Sequence, residues 1–524
     1  MQERLLATGS AAGVREGLST VTRGTLLVLI GTLGLIGLTF VSRVFLIHTI
    51  SYPEWNAFSF GLTLAALLSS FGTLGLPSAV ARSIPYAASD DERRAFVRGS
   101  LWIGGGAAIA SGLLLWLFSG PIGTILGDPV IGFGLSIFPI AVACSILASM
   151  IVSIFQGFED VFPNAIFLSI VNPGLFVVFL GVALFLPPFG ISYTESLVAY
   201  ALANVVTLAL LAGYAVRRLP RHLPSGPRAP EALGKLLRFA APLFIVGIMG
   251  SISGSGDTLI LGVFHSNEVG TYSASLTLAR LLQVGVSALG YIFLPVATRF
   301  LRQSEPGSIV LTYSTATKWM ILLSLPLFVL FFFLPASSLG FVYGSGYALV
   351  IAPLQIAVVG AFVTTLCGPA TTAQVVYGQT RLLMLNAVAG GLIDLGLSFL
   401  LIPAYGYAGA AVAWAGANVA YTALSLGQVA LAYRVHPFSR DFVLPVLATA
   451  LPIGAALFLL RPALPYLAVP LLGLAIAGLF LLIVLATRSI GEGDRLLLEA
   501  VERLIGRPLY FVRRLGRYGL RRTD

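Results

Sequence analysis

The amino-acid sequence predicts an all-α polytopic membrane protein with 14 transmembrane helices, which form two parallel six-helix lobes followed by two C-terminal helices. The first observation behind this prediction is the composition: 57% of the 524 residues are hydrophobic and only 10% are charged. The mean hydropathy is +0.95. A soluble domain has about 25% charged residues, and a core of this chain length cannot hide so large an apolar excess from water. Soluble enzymes and nucleic-acid-binding proteins are therefore excluded.

The second observation is a series of apolar stretches that are long enough to cross a bilayer. A membrane-spanning helix needs about 20 mostly apolar residues. Repeated Gly, Ala and Ser residues within the stretches allow helices to pack closely in lipid. The predicted spans are 24–47, 56–76, 96–118, 131–154, 163–186, 193–216, 240–263, 270–297, 310–336, 348–371, 382–401, 408–432, 441–460 and 463–486.

The third observation is the distribution of the 31 Lys and Arg residues between alternate loops. With the N-terminus inside, the loops on the opposite side hold a single basic residue, Arg461, and three more lie within spans. All the others fall on the cytoplasmic side, as the positive-inside rule requires. We therefore predict a multi-pass protein of the cytoplasmic (plasma) membrane with both termini in the cytoplasm and no cleaved signal peptide.

These boundaries divide the chain into six segments. The linker between the lobes is rich in Arg and Pro. The C-terminal tail has apolar residues at helical spacing among basic ones, and we expect either an amphipathic helix on the anionic inner leaflet or a solvated basic tail. The segments are a cytoplasmic N-terminus (1–23), an N-lobe with helices 1–6 (24–216), the linker (217–239), a C-lobe with helices 7–12 (240–432), helices 13–14 (433–486) and the cytoplasmic tail (487–524).

An internal repeat supports the division into two lobes. Sliding the second half back by 214 residues places Glu268 on Glu54 and Asp257 on Arg43. Parallel repeats of this kind are typical of transporters, whose binding cavity lies on the axis between the lobes. The reversed charge of the second pair suits a carrier that holds an anionic substrate in the N-lobe and a coupling cation in the C-lobe.

Basic residues within or beside the spans are candidates for substrate binding, because a charge in the bilayer costs about 2.5 to 3.5 kcal/mol on insertion scales. Arg280 lies ten residues into its span, about 15 Å deep, where we expect it to line a hydrated cavity and contact phosphate, or else to bridge to a neighbouring helix. Arg43 and Lys318 lie nearer the ends of their spans, so snorkelling is the alternative for each. Arg82 is expected to meet phosphate at the cytoplasmic mouth, or only to fix the orientation.

Two carboxylates are predicted within the spans, Asp257 in the seventh and Asp394 near the middle of the eleventh. Buried carboxylates can bind Na⁺ or relay a proton, and partnership with Arg280 or with a helix terminus is the alternative. Apart from such a coupling ion, we expect no cofactor and no certain metal site, because the histidines are scattered along the chain. They are His48, His222, His265 and His436.

Several short segments carry a family likeness. They are Gly75-Leu76-Pro77-Ser78-Ala79-Val80-Ala81-Arg82, Ala241-Pro242-Leu243, Asp257-Thr258-Leu259-Ile260-Leu261-Gly262, Val269-Gly270-Thr271-Tyr272-Ser273-Ala274, Tyr343-Gly344-Ser345-Gly346-Tyr347 and Leu401-Ile402-Pro403-Ala404-Tyr405-Gly406-Tyr407-Ala408-Gly409-Ala410-Ala411. In this order, and with two sets of six helices and a final pair, the chain resembles the polysaccharide-type flippases of the multidrug/oligosaccharidyl-lipid/polysaccharide exporter superfamily.

The resemblance implies a carrier rather than an enzyme. Its substrate would be a polyprenyl-(di)phosphate-linked oligosaccharide, moved from the inner to the outer leaflet by alternating access for the assembly of cell-surface polysaccharide or glycoconjugate. Phosphate charges and sugar hydroxyls cannot cross hydrocarbon unshielded, so a cationic, hydrated cavity fits the task. We expect a monomer among membrane lipids, with the lipid-linked oligosaccharide as its partner and no nucleic acid.

Three alternatives remain open from the sequence. A peptidoglycan-precursor flippase is separated only weakly from this prediction. A cation-coupled drug exporter of the same superfamily is compatible with Asp257 and Asp394 but disfavoured by Arg280. A membrane glycosyltransferase or ligase is disfavoured because no large outer loop carries clustered acidic, His or Arg residues.

Overall fold

The computed structural model describes residues 11–185, 192–219, 230–302, 306–434 and 468–486, together with residues 453 and 502. Within these residues the regular structure is entirely helical. A chain in lipid must satisfy its backbone polar groups internally, and a helix does so within a single segment. The predicted all-α class is confirmed.

The first half of the chain forms seven α-helices. Several begin at a polar residue that accepts a hydrogen bond from the free amides of the first turn: the Asp128 carboxylate, for example, accepts from the Val130 N–H at 2.9 Å. The bounds are α1 Ala11–Thr49, α2 Tyr52–Gly72, α3 Leu76–Ser83, α4 Asp90–Ile125, α5 Pro129–Gly157, α6 Asn172–Phe185, which continues a π-helical segment Asn164–Val171, and α7 Tyr193–Arg218.

The described residues of the second half form nine further α-helices and two short 3₁₀ turns. Proline opens several of them, where its missing N–H has no intrahelical partner to lose. The bounds are α8 Pro230–Phe264, the 3₁₀ turn Ser266–Glu268, α9 Val269–Leu281, α10 Gln283–Arg302, α11 Pro306–Phe333, α12 Pro335–Tyr343, the 3₁₀ turn Ser345–Leu349, α13 Ala352–Leu366, α14 Ala370–Val376, α15 Thr380–Tyr433 and α16 Ala468–Ala486.

Ten helices of the described residues are long and apolar enough to cross a membrane, or 11 if α2 and α3 form one bent span. These two helices meet at 44°. The bend is produced by two consecutive residues in the left-handed region, Leu74 with φ 53° and Gly75 with φ 70°. The predicted second span is therefore longer than the hydropathy indicated, and it is broken near its end.

One long helix, α15, consists of two antiparallel halves. It has 54 residues and would extend about 80 Å if straight, far more than the hydrocarbon thickness of about 30 Å. The Asn386 amide instead donates to the Ser425 hydroxyl at 3.1 Å and to the Gln428 amide oxygen at 2.9 Å. The halves therefore pack side by side, and they correspond to the predicted spans 382–401 and 408–432.

The turn between these halves lies at Gly406, whose φ is 53° and ψ −132°. This left-handed region is costly for any residue with a Cβ atom. The space that a Cβ would occupy is taken by the Glu268 carboxylate, which accepts a hydrogen bond from the Tyr407 N–H at 2.7 Å. Glu268 thus caps the second half of α15 and joins it to the start of α9.

We expect Gly406→Ala to lower the free energy of unfolding by about 1–3 kcal/mol, because the alanine is strained at this φ and displaces the capping carboxylate. Thermal unfolding of the purified protein in detergent measures the effect. Gly427→Ala is the matched control: Gly427 lies in the same element with open space around its Cβ position, and alanine is favoured in a helix by about 0.5–1 kcal/mol. Equal thermal unfolding midpoints for the two variants would contradict the conclusion that the turn requires glycine at position 406.

Several helix ends differ from the predicted boundaries. Helix α1 begins at Ala11 and α8 begins at Pro230, whereas the hydropathy placed spans from 24 and 240. A hydropathy window marks only the part of a helix that crosses lipid, and a polar helical turn can continue beyond it. The predicted eighth span, 270–297, is broken at Leu282 into α9 and α10.

Some predicted segments lie outside the described residues. They include the thirteenth span (441–460) apart from a single residue, residues 220–229 of the linker, and the basic tail 487–524 apart from residue 502. The fourteenth predicted span, 463–486, is represented by α16.

The two halves of the chain meet at the end of the bundle that the predicted topology places outside. The Asn56 amide accepts from the Gly270 N–H at 2.5 Å and donates to the Asn267 carbonyl at 3.0 Å. The indole N–H of Trp55 donates to the Gly270 carbonyl at 2.9 Å, and the Tyr52 hydroxyl donates to the Asn267 carbonyl at 2.9 Å. We call these five residues the outer junction. Asn56 and Gly270 are 214 positions apart, the period of the predicted repeat.

Helices α2 and α8 extend this contact toward the opposite end of the bundle. The Ser251 hydroxyl donates to the Ser70 hydroxyl at 2.6 Å. The rings of Phe71 and Phe244 lie edge to face with their centroids 6.2 Å apart. Because these contacts follow one another along both helices, α8 packs antiparallel to α2 and holds the second half of the chain against the first.

Candidate functional site

Arg280, the residue that the sequence singles out most strongly, lies in the last turn of α9. One of its terminal nitrogens (Nη2) donates to the Gly254 carbonyl of α8 at 3.1 Å. A guanidinium has five N–H donors, so this bond occupies a small part of its capacity. Arg280 therefore bridges to a neighbouring helix and also presents donors to the space beside it.

That space is a cavity of about 340 Å³ within the second half of the chain. It is bounded by α8, the junction of α9 and α10, and both halves of α15. Small residues on α8 and α15 leave room for it: an added Cβ at Gly250 or Gly254 would meet nothing within 4 Å. The lining residues are Gly250, Ser253, Gly254, Arg280, Gln283, Ala387, Gly390, Trp414, Asn418 and Tyr421.

Arg43 of α1 reaches the same helix that carries Arg280. Its Nη1 donates to the Thr277 hydroxyl at 2.5 Å, while its Nε is buried without a hydrogen-bond partner. Thr277 and Arg280 are three residues apart and so share one face of α9. The guanidinium groups of Arg43 and Arg280 lie close enough to repel each other.

Neither arginine forms an ion pair with a carboxylate in the described part of the chain. The ion pairs found there join neighbours on the surface of α4, Arg93 with Asp90 and Arg94 with Asp91. Two like charges that are close together in a low-dielectric environment repel strongly. Arg43 and Arg280 therefore create an electrostatic environment that favours an anion.

Asp257 of α8 is fully buried on the far side of Arg280. Its carboxylate accepts from the Thr258 N–H at 2.7 Å, from the Thr258 hydroxyl at 3.2 Å and from the Tyr272 hydroxyl. Tyr272 also lies 3.2 Å from the Ala410 carbonyl oxygen. The positive charge of Arg280 attracts this carboxylate without an ion pair between the two residues, so the hydrogen bonds of Asp257 come from Thr258 and Tyr272.

Asp394 of α15 is also fully buried, and it lies beside Asp257. Neither of its carboxyl oxygens has a hydrogen-bond partner among the described residues. The two carboxyl groups interact electrostatically, although they are 137 positions apart in the sequence. Together with the Tyr272 hydroxyl and the Ala410 carbonyl, they offer oxygen atoms of the kind that bind a hard cation or share a proton.

The other two predicted basic residues lie away from this cluster. Arg82, at the end of α3, is exposed, and its guanidinium lies 4.6 Å from the centroid of the Phe239 ring. Lys318 is half-buried in α11. Since Ser324 of α11 donates to the Leu282 carbonyl at 2.7 Å, Lys318 lies more than a turn farther along α10 than Arg280. The structure thus joins four of the six predicted residues and separates two.

Sequence reasoning missed the uncharged members of the cluster. Tyr272 entered only within one of the family segments, although the 214-residue offset places it on Phe58, and Thr277, Gln283 and Tyr421 were not identified. A hydroxyl group at Tyr272 where the repeat has phenylalanine is a signal that could have identified the first of them. The others carry no charge, so within an apolar span nothing in composition distinguishes them.

Comparison with known families matches residues 21–301 to the polysaccharide biosynthesis protein family. The chain is also 26% identical over 311 residues to the succinoglycan biosynthesis transport protein ExoT of Rhizobium meliloti (strain 1021). That alignment covers 58% of this chain and 59% of the ExoT sequence.

Among solved structures, the fold is similar to that of the lipid II flippase MurJ in an inward closed conformation, with a TM-score of 0.68 at 15% identity over 87% of this chain and 97% of MurJ. A MOP superfamily transporter from Pyrococcus furiosus has a TM-score of 0.55 at 14% identity, over 79% of this chain and 95% of that protein. At these identities the likeness concerns the fold alone. The family match covers more than half of the chain, and it confirms the resemblance noted in the sequence: this protein belongs to the polysaccharide biosynthesis protein family.

Proposed function

We propose that the protein is a flippase that moves a polyprenyl-(di)phosphate-linked oligosaccharide from the inner to the outer leaflet by alternating access, for the assembly of cell-surface polysaccharide or glycoconjugate. The observation that carries the proposal is the position of Arg43 and Arg280: Arg43 bonds Thr277 on the face of α9 that carries Arg280, and neither arginine forms an ion pair with a carboxylate among the described residues. The residues would bind the phosphate groups of the substrate.

The physical reason is that phosphate is the part of this substrate that hydrocarbon rejects most strongly. Guanidinium groups match phosphate oxygens geometrically and bind them with paired hydrogen bonds. Bound phosphate would also relieve the repulsion between the two arginines. The lipid tail needs no such site, because it can remain in the bilayer while the headgroup crosses.

The comparisons support the same substrate class. The name of ExoT refers to succinoglycan transport, and the name of MurJ refers to flipping of lipid II. A drug exporter for organic cations fits less well, since the arginine pair would repel a cation. The chemistry proposed for this chain makes and breaks no covalent bond, so we propose a transporter rather than an enzyme.

Alternating access would take place between the two predicted six-helix lobes. The hydrogen bonds of the outer junction join equivalent ends of these lobes and close the bundle at the side that we propose faces outward. Opening that junction while the opposite end closes would present the arginines to the other side. We propose the full set of 14 spans, a monomeric carrier and cytoplasmic termini in the plasma membrane as the setting of this cycle.

The remaining predicted residues are given roles by position. Arg82 would meet the phosphate at the cytoplasmic mouth, where its guanidinium lies over the Phe239 ring and is otherwise exposed. Lys318 would extend the positive field along α11. Asp257 and Asp394 would hold the coupling ion, Na⁺ or a proton, because two adjacent buried carboxylates repel each other unless a cation or a proton lies between them.

Reconstitution tests the proposal. The purified protein is reconstituted in proteoliposomes with a fluorescent polyprenyl-diphosphate-linked trisaccharide. A membrane-impermeant quencher removes the fluorescence of the label in the outer leaflet, so the quenched fraction measures how much lipid has crossed. We expect protein-dependent flipping that is at least tenfold faster for this lipid than for a neutral glycolipid with the same sugar and tail, because only the first engages the arginines. Equal rates for the two lipids would contradict a phosphate-binding carrier.

A further inference from the structure

The cavity beside Arg280 contains polar side chains that the protein itself does not satisfy. The amide of Gln283, the hydroxyl of Tyr421 and the hydroxyl of Ser253 line the cavity, and none of the three makes a hydrogen bond with another described residue. Gln283 is the first residue of α10, directly after the break at Leu282 within the predicted eighth span. Polar groups within a membrane span are costly unless they meet water or a ligand.

The same cavity combines these groups with aromatic surface. Trp414 and Tyr421 come from one helix half, separated by two turns, and Asn418 lies between them. The Asn418 amide donates to the Trp414 carbonyl at 2.8 Å, so its carbonyl oxygen stays available as an acceptor. Aromatic rings attract the weakly positive C–H groups of a ring face, while amides, hydroxyls and a guanidinium bond hydroxyl groups at a ring's edge.

The volume of the cavity limits what it can hold. At 340 Å³ it has the capacity of about eleven water molecules, at about 30 Å³ each. One pyranose unit with an attached phosphate is of this size, and a longer headgroup would extend beyond it.

We infer that this cavity is a sugar subsite, which holds the single monosaccharide unit directly linked to the phosphate of the substrate. The inference rests on the proposed function, because it places the phosphate at Arg280. The aromatic groups contact the faces of the sugar ring, and Gln283, Ser253, Asn418 and Tyr421 bind its hydroxyls. The outer sugars of the oligosaccharide lie outside the cavity, so one carrier accepts chains that differ beyond the first unit.

The test compares soluble-tail analogues with and without a sugar. The probes are farnesyl diphosphate and farnesyl diphosphates that carry one glucose, galactose or N-acetylglucosamine, titrated against the full chain in lipid nanodiscs. We expect the best glycosylated probe to bind at least tenfold more tightly than farnesyl diphosphate. A wild-type protein that binds all four probes equally would overturn the subsite.

Two variants locate the effect. Gly250→Leu adds a side chain at a lining position with open space around its Cβ, and Gln283→Leu removes a polar partner at similar volume. In both, the ratio of affinities between the best glycosylated probe and farnesyl diphosphate should fall to about two or less. Gly106→Leu, at an exposed α4 position with open space around its Cβ, should keep the wild-type ratio, and thermal unfolding checks that each variant is folded.

The two proposals fail in different ways. If Arg280→Gln binds farnesyl diphosphate as tightly as the wild type does, the phosphate site is wrong, whatever the sugar contributes. If Arg280→Gln weakens every probe but the tenfold ratio persists in both Gly250→Leu and Gln283→Leu, the phosphate site stands and the sugar subsite is wrong.

Discussion

Arg280→Ala is expected to reduce the flipping rate of a diphosphate-linked oligosaccharide by about 100-fold or more while the protein remains folded. Hydrogen bonds to a charged group contribute about 1.5–3 kcal/mol each, and the guanidinium can supply two to one phosphate. Folding is expected to depend little on this residue, because its one hydrogen bond to a described residue is that to the Gly254 carbonyl and its loss also removes the repulsion from Arg43. The measurement is initial flipping rate in proteoliposomes at matched protein content.

Arg280→Lys separates charge from geometry. Lysine keeps the positive charge but loses the planar fork, so we expect a rate between those of the wild type and Arg280→Ala. Arg98→Ala is the control, since Arg98 is an exposed residue of α4 that should tolerate the change. If a folded Arg280→Ala protein flips at the wild-type rate, Arg280 only bridges two helices and does not bind the substrate.

Composition and hydropathy were sufficient to predict an all-helical chain with many apolar spans. The repeat offset of 214 residues stays a prediction, although Asn56 and Gly270, which it pairs, lie in direct contact. Both inferences depend on quantities that are averaged over many residues or on a spacing that the whole chain shares. Errors at single positions therefore have little effect on them.

The ends and breaks of helices were harder to predict. Hydropathy placed a gap between 401 and 408, and the turn at Gly406 lies in it, since a left-handed glycine interrupts the helix there. It gave no sign of the break at Leu282 within the eighth span. Both flanks of that break are apolar, and no proline or left-handed glycine marks it.

The proximity of side chains within the cluster could not be predicted, for a different reason. The sequence identified Asp257 and Asp394 as costly residues, but their adjacency depends on how α8 and α15 are rotated about their own axes. The rotation is set by packing at many small residues, such as Gly391 against the Met249 backbone. A single sequence does not encode such an angle in any local pattern.

Asp394→Asn and Asp257→Asn are expected to reduce the stimulation of flipping by an imposed Na⁺ or proton gradient about tenfold, with a smaller effect on substrate affinity. Both carboxyl groups are fully buried and interact with each other, so an ion between them would reduce their repulsion. Asparagine keeps the volume but neither the charge nor the exchangeable proton. The ion can bias the cycle only if its affinity differs between the two facing states.

An inside-negative potential already favours outward movement of an anion, by about 2.3 kcal/mol per charge for each 100 mV, so the assay must vary the ion gradient at a clamped potential. Under these conditions flipping by the wild type should respond to a gradient of one ion, and flipping by the two variants should respond to neither. Asp128→Asn is the control and should respond as the wild type does, because asparagine retains an acceptor at the helix N-terminus. The identity of the effective ion then distinguishes cation binding from proton exchange at this pair. Should both variants flip at the wild-type rate under every gradient, Asp257 and Asp394 would serve only the packing of α8 against α15.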